Sequence, residues 1–161
     1  HLLKVADAGF DWKEKVVGFL HDASEDCDVT VDNVMHLLDE EISRVVDNPK
    51  EHWYEEDWWK EWMEDIAVYP CKTTHVIIDE ERNEIKTALT LLNHHTAPSR
   101  EEYINRISTN FLALKVKLND LRNNLDITRI PEPTEKDYAR IERYKKEYAI
   151  LMEALRNRLN I

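Results

Sequence analysis

Glycine is nearly absent from this chain: two glycines and five prolines punctuate 161 residues. Leucine, glutamate, lysine and arginine are abundant and β-branched residues seldom alternate with polar ones, so the expected fold is all-α, with helices joined by short connections. At this length a single domain spanning residues 1–161 can bury a respectable core. Apolar spacing predicts a short segment from His1 to Ala6, a turn at Gly9 to Asp11, and a helix from Trp12 to Ser24 with Val16, Val17, Phe19 and Leu20 facing inward. Thr30 is placed to cap a helix from Val31 to about Ile42, with Val34, Leu37, Leu38 and Ile42 as its buried stripe. Further helices are predicted over Glu80 to Asn93, Arg100 to Ser108 behind a capping box at Ser99 and Glu102, and the Thr134-capped stretch reaching Asn160. His36 reads as a surface histidine.

Asp47 to Asp79 has a different character, with Trp53, Trp58, Trp59, Trp62, Tyr54 and Tyr69 set among many acids. Trp58, Trp59 and Trp62 mark a short amphipathic helix whose indoles must be buried somewhere. Three readings stay open for this stretch: a satellite core packed on the domain, a lid over a substrate, or a surface for a partner or a second copy of the chain in a homo-oligomer.

The formal net charge of −11 argues against general nucleic-acid binding, which needs clustered lysine and arginine, but leaves room for a phosphorylated small molecule. Two cysteines, Cys27 and Cys71, in a chain large enough to fold without disulfides fit a reduced, cytoplasmic setting. No apolar run approaches the roughly 20 residues needed to cross a bilayer, so no membrane partner is expected.

The chemistry concentrates where the apolar run Val16 to Leu20 ends in His21-Asp22-Ala23-Ser24-Glu25-Asp26. In a helix His21 and Glu25 fall one turn apart on one face, and Asp22 and Asp26 on the next. An imidazole and three carboxylates beside a buried segment are costly unless they are paired or hold a cation. Nitrogen mixed with carboxylate oxygen suits manganese, iron or zinc better than calcium. A second charged position, Asp120, lies within the apolar-periodic stretch Ala113 to Asn124, where a carboxylate is again costly. Lys117 stands one turn before it and Asn124 one turn after, on the same face.

His21-Asp22 with Glu25-Asp26, followed by Asp28-Val29-Thr30, resembles the HDxxED signature of HD-superfamily metal-dependent phosphohydrolases, in the subgroup holding the ppGpp hydrolase domain of RelA/SpoT enzymes. Cys27 stands where that pattern usually has threonine. Ala113-Leu114-Lys115-Val116-Lys117-Leu118-Asn119-Asp120 is similar to the family's second motif, and His1 matches the histidine of its "H-x-L-x-V-A" context. The resemblance covers His1 to about Asp39 and Glu80 onward; the tryptophan-rich stretch then reads as an insertion in an HD-domain helical bundle. It implies that His1, His21, Asp22 and Asp120 hold one divalent metal, plausibly Mn²⁺, and that Glu25 and Asp26 orient or deprotonate water. Asn124, Lys117, Tyr103 and Arg106 are the implied contacts to a phosphorylated nucleotide. The implied reaction is removal of the 3′-pyrophosphate from ppGpp or pppGpp. The alternatives are a nucleotide phosphatase or pyrophosphatase indifferent to these alarmones, and a non-catalytic module that binds nucleotide or partner.

Overall fold

The computed structural model describes residues 1–47 and 77–160. The tryptophan-rich stretch therefore lies, apart from its ends, outside the described residues. Those described are helical, with no strand among them: α1 (Leu2–Asp7), α2 (Trp12–Leu20), α3 (Ala23–Asp26), α4 (Val31–Asp47), α5 (Asp79–Leu92), α6 (Arg100–Thr109), α7 (Phe111–Asn124) and α8 (Glu135–Leu159). Short 3₁₀ turns follow α5 at His94–Thr96 and α7 at Ile127–Arg129. No helix among the described residues is long and apolar enough to cross a membrane.

Helix α7 is the axis. It buries residues on nearly every face, Leu112, Ala113, Leu114, Val116, Leu118 and Leu121 among them, as a helix must when neighbours surround it. Helices α1, α2, α5, α6 and α8 all pack against it. Asn110 starts it by accepting the Ala113 N–H at 2.9 Å. The other caps follow the sequence: Ser99 accepts from Glu102 N, and Thr30 exchanges three bonds with Asn33. Thr134 and Asp137 form a capping box at the start of α8.

Three local expectations are revised. The helix expected over Trp12 to Ser24 divides at His21 and Asp22, and α3 follows as a single turn. The carbonyl of Gly18 receives the His21 Nδ1 hydrogen there at 2.8 Å, so a side chain bonds to the backbone at the helix end. Phe19 and Leu37, expected inside, are exposed, while Val17 is buried as expected and Met35, outside the expected stripe, is buried on α4. Helix α4 also runs on past Ile42 to Asp47.

Gly18 has a second role. A Cβ there would meet the Ala6 and Val5 backbone at 3.1 to 3.2 Å, so its bare backbone lets α1 lie directly on α2. That close approach carries the start of α1, and with it His1, to the end of α2.

Candidate metal centre

Three helices bring the site together: His1 precedes α1, His21 and Asp22 follow α2, and Asp120 lies on α7. One ligand atom each from His1, His21 and Asp22 lies within 4.8 Å of the others. Asp120 Oδ1 is 3.0 Å from His1 Nε2 and 3.7 Å from His21 Nε2. Asp22 closes the other side, with Oδ1 3.0 Å from His21 Nε2 and Oδ2 3.7 Å from His1 Nε2. The four residues expected as ligands are thus neighbours.

The tautomers follow from the partners on the far side of each ring. His21 Nδ1 faces the Gly18 carbonyl at 2.8 Å and His1 Nδ1 faces Asn123 Oδ1 at 2.9 Å; both partners only accept, so both Nδ1 atoms carry hydrogen. In the neutral rings, both Nε2 lone pairs then turn toward carboxylate oxygens. His21, 3% exposed, makes no hydrogen bond at Nε2 despite its neighbours. Acceptors facing acceptors repel unless positive charge lies between them. Separations of 3.0 to 3.7 Å suit a shared cation, since two ligands about 2.1 Å from one ion and about 90 to 110° apart stand about 3.0 to 3.4 Å from each other. The donor set of two imidazoles and two carboxylates fits a borderline divalent metal.

Asp120 is the most firmly held member. Burial pushes its carboxyl upward, but the Lys117 ammonium and the two histidines outweigh this and hold it well below the usual carboxylate range. Lys117 Nζ bonds Oδ2 at 2.7 Å and Asn124 Nδ2 bonds Oδ1 at 2.6 Å. Burial alone would depress Lys117; Asp120 and the Tyr103 beside it raise it instead. His1 is raised by its contact with Asp120, against burial. Asp22 is raised, first by burial and then by Asp120, with His21 opposing.

Glu25 meets the turn after α5. Its Oε1 lies 2.7 Å from His94 Nδ1, a close contact without in-line hydrogen-bond geometry, and Oε2 accepts the His94 backbone N–H at 3.2 Å. Burial pushes Glu25 upward, and His94 more than offsets it, leaving the carboxyl below its ordinary value. Asn93 pins the same turn to α3 through the Ser24 carbonyl at 2.8 Å. Asp26 is exposed to solvent.

The substrate contacts implied by the resemblance are placed differently. Lys117 and Asn124 spend their donors on Asp120. Tyr103, 1% exposed, gives its hydroxyl hydrogen to the Leu92 carbonyl and is part of the core. Arg106 bonds the carbonyl and hydroxyl of Thr96, bracing the turn after α5 instead of facing a phosphate. A shallow cavity of about 200 Å³ near His1 is lined instead by Lys4, Arg122, Asn119 and Asn123, with Ala8 and Asp126.

Sequence reading missed Asn123 and Gly18 as supports. Asn123 follows Asp120 within one turn, and Gly18 sits inside an apolar helix, so both carry a local signal. The pairing of His94 with Glu25 carries none, because the two are 69 residues apart. No protein-family model matches this chain, and no curated protein matches it.

Proposed function

We propose that this protein is a metal-dependent phosphohydrolase of the HD type acting on a phosphorylated purine nucleotide, with the 3′-pyrophosphate of ppGpp or pppGpp as the leading substrate. The observation that carries the reading is the pair of imidazoles with hydrogen fixed on Nδ1 and Nε2 turned toward one oxygen of Asp120. Second partners of this kind, a carbonyl and an amide oxygen here, orient metal-binding histidines and make them better ligands. His1, His21, Asp22 and Asp120 would hold the ion. A divalent cation supplies Lewis-acid stabilisation of phosphoryl charge and makes water a stronger nucleophile near neutral pH.

The chain's own residues then divide the remaining work. Lys117 occupies Asp120 Oδ2, which leaves Oδ1 to face the histidines. Glu25 is ionised at neutral pH, since His94 lowers its carboxyl, and its oxygens are the atoms that receive a proton from water. His94 Nδ1 at Oε1 holds that carboxylate in one orientation. Lys4 and Arg122 line a cavity with Asn123, the partner of His1, and there they supply positive charge for a phosphate group of the nucleotide.

Incubating the Mn²⁺-loaded protein with ppGpp, pppGpp, GTP and ATP and separating the products by chromatography tests the proposal. Pyrophosphate released from the 3′ position is the expected result. Phosphate or pyrophosphate released from GTP or ATP with the alarmones untouched would mean a general nucleotide hydrolase. Bound metal with no turnover of any nucleotide would mean a binding module.

A further inference from the structure

We propose that Glu14 is a positioning residue for the metal centre: its buried carboxylate ties together the three segments that carry the ligands. Glu14 lies on α2, is 3% exposed, and belongs to none of the motifs read from the sequence. Its Oε1 pairs with Lys115 Nζ on α7, five residues before Asp120. Its Oε2 accepts the backbone N–H of Phe10 at 3.0 Å, in the connection between α1 and α2. One carboxylate thus bonds the turn that ends the His1-bearing segment, belongs to the helix that ends in His21, and holds the helix that presents Asp120.

The surroundings make the strut stiff. A Cβ at Gly9 would meet Glu14 Cβ at 3.0 Å, so the turn rests directly on the Glu14 stem. Lys115 is held from two further sides, by Asp11 Oδ2 at 3.5 Å and by the Phe111 ring, whose centroid is 4.6 Å from Nζ. Lys115 is therefore committed to this pair. Apolar packing fills space but tolerates small slides between helices, whereas a hydrogen-bonded ion pair fixes one relative position. Ligand separations of 3.0 to 3.7 Å need that precision at the metal centre.

The inference rests on the metal-site reading above, and the test separates the two. Mn²⁺ affinity by calorimetry, the visible spectrum of the Co²⁺-loaded protein and thermal unfolding are measured on the full chain. Replacing the pair by apolar side chains of similar size, in Glu14→Leu with Lys115→Met, commonly leaves stability intact. Glu14→Gln keeps an acceptor for Phe10 and loses the charge that holds Lys115. Both are expected to weaken Mn²⁺ binding by about tenfold or more and to alter the Co²⁺ bands, while Lys115→Arg retains both properties. Leu151→Ala, on α8 and away from the ligands, should lower thermal stability with Mn²⁺ affinity unchanged. Unaltered affinity and Co²⁺ bands in Glu14→Gln would overturn the positioning role, as would a loss of affinity that Leu151→Ala reproduces at equal loss of stability. Failure of the unsubstituted chain to bind Mn²⁺ would overturn the metal site itself, and this role with it.

Discussion

Among the described residues, two corners treat their buried carboxylates in opposite ways. Glu147 on α8 is 5% exposed, and Arg100 answers it with Nε and Nη2, each 2.9 Å from a different oxygen, with Arg143 Nε a further 3.7 Å away. Every lone pair of consequence there meets a donor. Where α1, α2 and α7 meet, Asp120 Oδ1 and Asp22 instead face the Nε2 atoms of two histidines whose hydrogens point elsewhere. A charge kept for structure is surrounded by opposite charge. Convergent acceptors around a common point are an arrangement that positive charge completes.

The largest expected effect is at Asp120. Asp120→Asn removes the charge that both imidazoles face and leaves the Lys117 ammonium buried without its partner. Metal content, measured by elemental analysis, and turnover should fall together, turnover by on the order of 10⁴-fold or more. Normal metal content in this variant would break the contrast, since Asp120 would then be a structural acid like Glu147. Glu25→Gln comes next. It preserves size but cannot accept a proton, so the metal should stay bound while turnover drops by about 10²- to 10⁴-fold. Near-normal turnover on the same preparations would remove Glu25 from the mechanism and pass its role to Asp26.

Much of this was legible from residue types and spacing. The all-α architecture follows from scarce glycine and from apolar stripes at helical spacing, and His21, Asp22 and Asp120 declare themselves as charges placed where the helix pattern wants apolar side chains. What stayed hidden was the pairing of those helices. Lys115 and Lys117 look alike in sequence, yet Lys115 pairs with Glu14, 101 residues away, and Lys117 with Asp120, three residues on. Local periodicity says which side of a helix is buried, not which neighbour it meets. Tyr103 shows the same limit: its phenol fits a pocket wall as well as a core by residue type, and its burial and bond to the Leu92 carbonyl place it in the core.

Arg100→Met tests the other corner. It strands the Glu147 carboxylate, and because Arg100 is itself partly exposed the cost should be about 2 to 4 kcal/mol in urea unfolding. Metal content should not change. Adding Glu147→Leu should restore most of the lost stability, because an apolar pair of similar volume removes the stranded charge. A drop in bound metal on Arg100→Met alone would show that the two corners are coupled and that the contrast between them is too simple.

The smallest effect concerns Asp11, an acid beside the metal corner whose chemistry is of the structural kind. Its Oδ1 accepts the Glu14 backbone N–H at 2.9 Å and caps α2, and Lys115 lies 3.5 Å from Oδ2. Burial pushes the carboxyl up, but the Glu14 N–H and Lys115 outweigh it, so it sits below its ordinary value of 3.8. A carboxyl more acidic in the folded chain than in the unfolded one stabilises the fold fully above the unfolded value. That contribution is lost as pH falls through the folded value. Asp11→Ala should therefore cost about 1 kcal/mol at pH 7 and progressively less below about pH 4, where the unfolded chain takes up the proton first and the native cap follows at lower pH. Asp11→Asn, which keeps the acceptor, should cost only a few tenths of that at pH 7. Urea unfolding of the three proteins across this range checks the order. An Asp11→Ala cost independent of pH would mean that the Asp11 charge adds nothing, and that the cap acts through its hydrogen bond alone.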